Sequence, residues 1–203
     1  MTWGRYLVCL DIARPIVVVD FETTGLDHRR HQIIELAAIR LLPGQARGAY
    51  LHRLVRPARK LSARIVELTG ITDRELASHG VDAPAALQAL VDFIGNDPVV
   101  SYNAAFDMSF LHAASTAYSL SVAKRGGHSC ALRLVRKVIP GLPSYRLAEV
   151  SRRLGLSLDN HHRAVGDALR AAQIYRICAH AYLSERAHYR PGIVGVSPAG
   201  GGL

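Results

Sequence analysis

The hydrophobic pattern opens with a compact apolar run, Ile16 to Asp20, rich in β-branched residues and followed closely by Thr23, Thr24 and Gly25. It reads as a buried strand ended by turn residues. Gln32 to Leu42 reads as a second strand, closed by the turn chemistry of Pro43-Gly44. Tyr50 to Val55 reads as a third, so the first three strands predict an antiparallel meander. Helical signals then take over. Thr72-Asp73-Arg74-Glu75 resembles a capping box, and Asp82 is placed to cap the next helix, with Pro84 in its first turn. Leu87, Leu90, Val91 and Ile94 make one apolar helical face, which Gly95-Asn96 stops. Val99 to Tyr102 reads as a short strand, Ala104 to Thr116 as a helix and residues 124–129 as a loop. Tyr145 to Leu154 reads as a helix ended by Gly155, and a last long helix runs from about Arg163 to Leu183. Strands first, then strands alternating with helices, predict an α/β fold: a mixed sheet with helices on its faces and sites at its strand ends. No internal repeat and no second domain are visible. From Pro191 the chain turns Gly/Pro-rich, as a flexible tail does.

Composition narrows the class. The chain has 203 residues, 49% apolar and 20% charged, which suits one globular domain with tails. No apolar run approaches the roughly 20 residues of a membrane span. Arg5, Asp11 and Arg14 interrupt the N-terminus, which lacks a signal-peptide layout, so an intracellular, cytoplasmic protein is expected. Cys9, Cys130 and Cys178 are odd in number and far apart, suggesting neither a disulfide framework nor a zinc site. Net charge is +9, and all but three of the 25 basic residues are arginine. Arginine forks match phosphates, which favours a nucleic-acid partner, although arginine-rich genome composition gives the same excess.

The chemistry lies in the acids. Along a strand side chains alternate, so Asp20 and Glu22 leave one face while Phe21 points into the core. Asp107 follows the strand Val99 to Tyr102 near a helix start, where a lone acid is commonly only a dipole partner. Asp167 is more informative, because it shares a stripe with Ala164, Ala171, Ile174 and Cys178 that is otherwise apolar. A buried carboxylate is costly unless it is paired or coordinates a metal; Arg163 and Arg170 are the available partners. His162, five residues before Asp167, cannot share its helix face and is expected on the entering loop; His161 adjoins it. Carboxylates gathered from Asp20, Glu22, Asp107 and Asp167 would demand cations, and all-oxygen ligation suits Mg²⁺ or Mn²⁺. Two such ions can clamp a phosphodiester.

These segments resemble the DEDDh class of 3′–5′ exonucleases, the superfamily of the proofreading epsilon subunit of DNA polymerase III and of ribonuclease T. Val19 to Asp27 (VDFETTGLD) is similar to the first exonuclease motif, Ser101 to Asp107 (SYNAAFD) to the second, and His162 to Ala168 (HRAVGDA) to the third. Segments 68–72 and 140–156 are similar to stretches between them, and the likeness covers about residues 14–182. The resemblance implies an RNase H-like mixed five-stranded sheet with helices on both faces. The exonuclease domain is expected at 14–185, after an N-terminal extension (1–13) and before the tail (186–203). Also implied are two divalent cations, Mg²⁺ or Mn²⁺, with Asp20 bridging both, Glu22 and Asp167 completing the tighter site, and Asp107 in support. His162 would be the general base. Thr23, Thr24 and Gly25 would hold the 3′-terminal nucleotide, with Leu26 and Phe106 against its sugar or base and Tyr102 and Asn103 nearby. Tyr102 departs from the family, which often has His there. Nucleic-acid 3′ ends are the implied partner: single-stranded DNA first, RNA as the alternative, alone or within a polymerase or repair complex, and no membrane. Because all four acids and His162 are present, a non-catalytic binding module is the remote reading. Residues 88–93 (QALVDF) superficially resemble a sliding-clamp peptide, but they lie in an amphipathic helix and read as core.

Overall fold

The computed structural model describes residues 14–44, 48–121, 127–159 and 161–188. Five strands form one mixed sheet in the order β3-β2-β1-β4-β5: β1 (Ile16–Thr23), β2 (Ile33–Leu41), β3 (Tyr50–Leu54), β4 (Val99–Ser101) and β5 (His128–Cys130). β1 pairs antiparallel with β2, and β2 with β3, as the meander pattern requires. On its other side β1 pairs parallel with β4, and β4 parallel with β5. The helices are α1 (Ala63–Thr69), α2 (Asp73–His79), α3 (Ala83–Ile94), α4 (Ala104–Ala117), α5 (Ala131–Val138), α6 (Leu147–Arg153) and α7 (Ala164–His188).

The alternation of β1 divides the core. Val17, Val19 and Phe21 face a cluster with Leu87, Leu90 and Ile94 of α3 and Phe110 and Leu111 of α4. Val18 faces the opposite cluster, with Val135 of α5, Val150 of α6 and Ala168, Ala171, Ile174 and Cys178 of α7. Period two then puts Asp20 and Glu22 on the Val18 side, toward α7. Strand β1 runs past Asp20 to Thr23, and its register with β2 shifts between Glu22 and Thr23. Such a bulge re-aims the chain at a strand end, here into the Thr24–Gly25 turn.

Local chemistry sets most boundaries. The Thr72 hydroxyl accepts from Glu75 N at 3.1 Å and starts α2. The capping box is half-formed, because the Glu75 carboxylate lies against Arg163 (3.5 Å). Asp82 stands at the N-cap of α3 without a capping bond; its carboxylate instead accepts from Arg56 at 2.8 Å. Gly95 closes α3 at φ +57°, a conformation that suits glycine.

The loop expected over 124–129 is corrected in part, since His128 and Ser129 belong to β5; residues 122–126 lie outside the described residues. The expected 1–13 extension also lies outside them, as does the tail from 189 onward; α7 continues through 186–188. Among the described residues, no helix is long and apolar enough to cross a membrane.

Candidate active site

The C-terminal ends of β1 and β4 and the N-terminal turns of α4 and α7 converge on one edge of the sheet. One oxygen each from Asp20, Glu22 and Asp167 lies within 4.8 Å of the others. Asp20 and Glu22 are half-buried and Asp167 is buried. At that spacing two carboxylates repel by about 4 kcal/mol at an effective dielectric of 20. The side chains register the strain. Burial first, then the charges of Asp107, Asp167, Glu22 and Glu35, holds Asp20 well above the usual carboxylate range. Burial and Asp167 lift Glu22 from its ordinary 4.5 to about 8. Asp107, in the first turn of α4, stands outside the 4.8 Å group but is buried, and burial carries it from 3.8 to about 7. A set of acids that cannot all ionise together fits a divalent cation, and oxygen-only donors fit a hard one.

Asp167 is also paired, as the sequence allowed, but with one arginine of the two. Arg170 donates to Oδ1 from Nε at 3.1 Å, and His161 Nδ1 lies 3.2 Å from the same atom. Arg163 turns away to Glu35. His162 stacks on His161 with ring centroids 3.9 Å apart, and its backbone is left-handed at φ +58°. Burial, then the neighbouring His161, keeps its pKa below that of a free imidazole, so His162 is neutral at neutral pH. A neutral imidazole beside the acids can accept a proton. His161, His162 and Asp167 form a second group with metal-ligand spacing.

The β1–β2 turn flanks the acids. Thr23 is buried and donates to Gly25 O at 2.7 Å. Thr24 Oγ1 accepts from Gln32 N at 3.0 Å and meets His31 Nδ1 at 3.2 Å. The His31 ring covers Gly25 so closely that a Cβ there would come within 2.6 Å of it. Leu26 is 85% exposed, an apolar side chain with its face open to a ligand. Phe106 is half-buried on Phe110 (4.9 Å between centroids), and Asn103 is exposed at the start of α4. Tyr102 is a correction. It is buried, and its hydroxyl donates to Tyr145 O at 2.6 Å. Its ring belongs to the α7-side core with Cys178, about three helical turns beyond Asp167, so it is a core residue and not part of this cluster.

The profile of the family described as "Exonuclease" matches residues 17–175. The chain belongs to the exonuclease family. It is 33% identical over 159 residues to a DNA polymerase III subunit epsilon from Aquifex aeolicus, covering 78% of this chain and 77% of that one. It is 36% identical over 165 residues to a PolC-type DNA polymerase III from Thermotoga petrophila, of which it spans only 11%. In structure it is similar to E. coli exonuclease I in complex with a dT13 oligonucleotide. The TM-score is 0.72 at 18% identity, over 86% of this chain and 43% of that one, a likeness of fold.

Within this exonuclease-family domain, the residue that sequence reasoning missed is Glu35. It is 1% exposed, on the α7-facing side of β2, opposite Glu22 in the register. It accepts from Arg163 Nη2 (2.8 Å) and Ala164 N (2.8 Å), with His52 Nε2 at 2.8 Å. Burial alone would raise its pKa, but these partners together hold it below the ordinary value. Glu35 thereby ties β2 and β3 to the start of α7 and fixes the turn that carries His161 and His162. The signal was legible: one acid inside Ile33-Ile34-Glu35-Leu36-Ala37, an otherwise apolar central strand.

Proposed function

We propose that this domain is a metal-dependent 3′–5′ exonuclease releasing nucleoside 5′-monophosphates from DNA 3′ ends, in proofreading or repair. The observation that carries the reading is the convergence of Asp20, Glu22 and Asp167 within 4.8 Å, with Asp107 adjoining. Asp20, Glu22 and Asp167, supported by Asp107, would hold two Mg²⁺ or Mn²⁺ ions. Bound there, the ions would supply charge neutralisation at the attacking and leaving oxygens. His162 takes the proton of the attacking water. The water oxygen bonds to phosphorus, the P–O3′ bond breaks, and the departing O3′ takes a proton from solvent, so the shortened strand ends in a 3′-hydroxyl. Thr23, Thr24 and Gly25 hold the terminal nucleotide by backbone groups, and Leu26 and Phe106 supply an apolar face that accepts any base. The polymerase III names of the relatives support DNA over RNA and a polymerase-linked setting.

The test compares 5′-labelled single-stranded DNA, mismatched duplex and RNA with Mg²⁺ or Mn²⁺. Single-stranded DNA is expected to give a descending ladder, ahead of mismatched duplex and then RNA. Release of the labelled 5′ nucleotide in the first turnover would overturn the polarity, and faster RNA trimming would overturn the substrate.

Metal binding is expected to be pH-linked. A carboxyl whose folded-state pKa is raised stabilises the protein while protonated and loses that contribution as pH rises through the folded value. Glu22 (4.5 to about 8) and Asp107 (3.8 to about 7) therefore penalise the metal-free protein increasingly between about pH 5 and pH 8. Cations bind the ionised acids and remove that penalty. The rise in Tm on adding Mg²⁺ should be larger at the alkaline end of this window than at the acid end, measured by differential scanning fluorimetry. A pH-independent rise would contradict the assignment of these acids as ligands.

A further inference from the structure

A cavity of about 870 Å³ opens beside the β1–β2 turn, between that turn, the β3–α1 connection and α4. It begins at Thr24, two residues from Glu22, and its lining includes neither Leu26 nor Phe106. The terminal nucleotide and this space are therefore adjacent but separate. The volume falls within the roughly 300–1,000 Å³ of ligand-binding clefts. Its walls carry Arg29, Arg30, Arg56, Arg59 and Lys60, and among the described residues no Asp or Glu lines it. Arg30 is committed to Asp27 (3.7 Å) and Arg56 to Asp82 (2.8 Å). Arg59 and Lys60 are exposed and make no ion pair among the described residues. The inner wall is apolar and aromatic: His28 meets Phe110 edge-on, with ring centroids 6.2 Å apart, and Tyr118 stands 38% exposed at the far end. Phe110 itself is buried and His28 half-buried, so the rings within reach of a ligand are Tyr118 and the open side of His28. Cations along a rim and accessible rings below it are the two ingredients of sequence-independent single-strand binding, one for phosphates and one for bases.

We infer that this groove carries the substrate strand 5′ of the scissile nucleotide, with Arg59 and Lys60 on its phosphates and His28 and Tyr118 offering faces to its bases. The inference rests on the exonuclease reading for its direction: a strand whose last phosphodiester lies at Asp20 and Glu22 leaves past Thr24 into the groove. Binding there needs no metal. The site favours nucleic acid over an acidic polypeptide because the aromatic wall has a use only if the polyanion carries planar bases.

The test titrates labelled oligothymidylates by fluorescence anisotropy in EDTA, comparing the 203-residue chain with its Arg59→Ala/Lys60→Ala variant. Both positions are exposed and make no ion pair among the described residues, so the variant is expected to fold. Affinity for a long oligothymidylate should fall about tenfold, and its log Kd against log salt slope should become shallower by about 1.4, two phosphate contacts at about 0.7 each. A dinucleotide, too short to reach the groove, should show no such loss. Hydrolysis of p-nitrophenyl thymidine 5′-phosphate with Mn²⁺ reads the acid cluster by itself. If neither protein hydrolyses that ester, the exonuclease reading fails, and the anisotropy comparison still decides the groove. Equal affinity and equal salt slope for the long strand would overturn the proposal. So would displacement of the strand by polyglutamate as effectively as by unlabelled oligothymidylate.

Discussion

Asp20→Asn is expected to lower nucleotide release by about 10³-fold or more while leaving the protein folded. Asp20 is the acid that feels every other one: Asp107, Asp167, Glu22 and Glu35 all raise its pKa. A cation bound by the cluster must meet it, and Asn cannot supply the charge. The same crowding separates lost chemistry from lost structure. A carboxylate that burial and like charges disfavour is replaced by a neutral isostere, so the repulsion it contributes above its ordinary pKa disappears. The metal-free variant should melt no lower than wild type at mildly alkaline pH, and its Tm should respond less to Mg²⁺. A variant that loses activity together with several degrees of Tm would mark Asp20 as structural instead.

His162→Asn is expected to reduce turnover by roughly 10²–10⁴-fold, the typical worth of a positioned general base, and His161→Ala by less than tenfold. The two rings stack, so proximity does not separate them. Their partners do. His161 shares Asp167 Oδ1 with Arg170, which keeps holding the carboxylate when the imidazole is removed. His162 is held neutral by burial and by His161, in the state that accepts a proton. Asn is the informative replacement, because position 162 sits at φ +58°, where Asn is better tolerated than Ala. Single-turnover rates of both variants decide the matter. A larger defect in His161→Ala would move the base to position 161.

Much of this site could be read from the chain because its constraints are periodic. Period two put Asp20 and Glu22 on one face of β1, and the helical stripe Ala164-Asp167-Ala171-Ile174-Cys178 is buried throughout. Short elements escaped. β5 has three residues, too few to show alternation, and it pairs in parallel with β4, each residue meeting one 29 positions upstream (Val99 with His128). The helices α1 and α5 were passed over, although Ser62 and Gly70 cap α1 and were visible as such. Pairings between distant polar groups were the other blind spot. Nothing local says that Arg163 prefers Glu35 to Asp167, a choice that depends on which carboxylate the sheet buries, or that the exposed Asp82 leaves its cap for Arg56, which is 26 residues away in the chain. Tyr102 misled for a related reason. Its place in a motif suggested the nucleotide, whereas its hydroxyl satisfies the Tyr145 carbonyl inside the core.

In the proposed mechanism Asp20 gathers two cations for hydrolysis. Manganese anomalous scattering from crystals grown with Mn²⁺ and thymidine 5′-monophosphate tests it most directly. Two peaks about 4 Å apart are expected, both bonded to Asp20, with Glu22 and Asp167 completing the site. Manganese held instead by His161, His162 and Asp167, or absent from Asp20, would contradict the account.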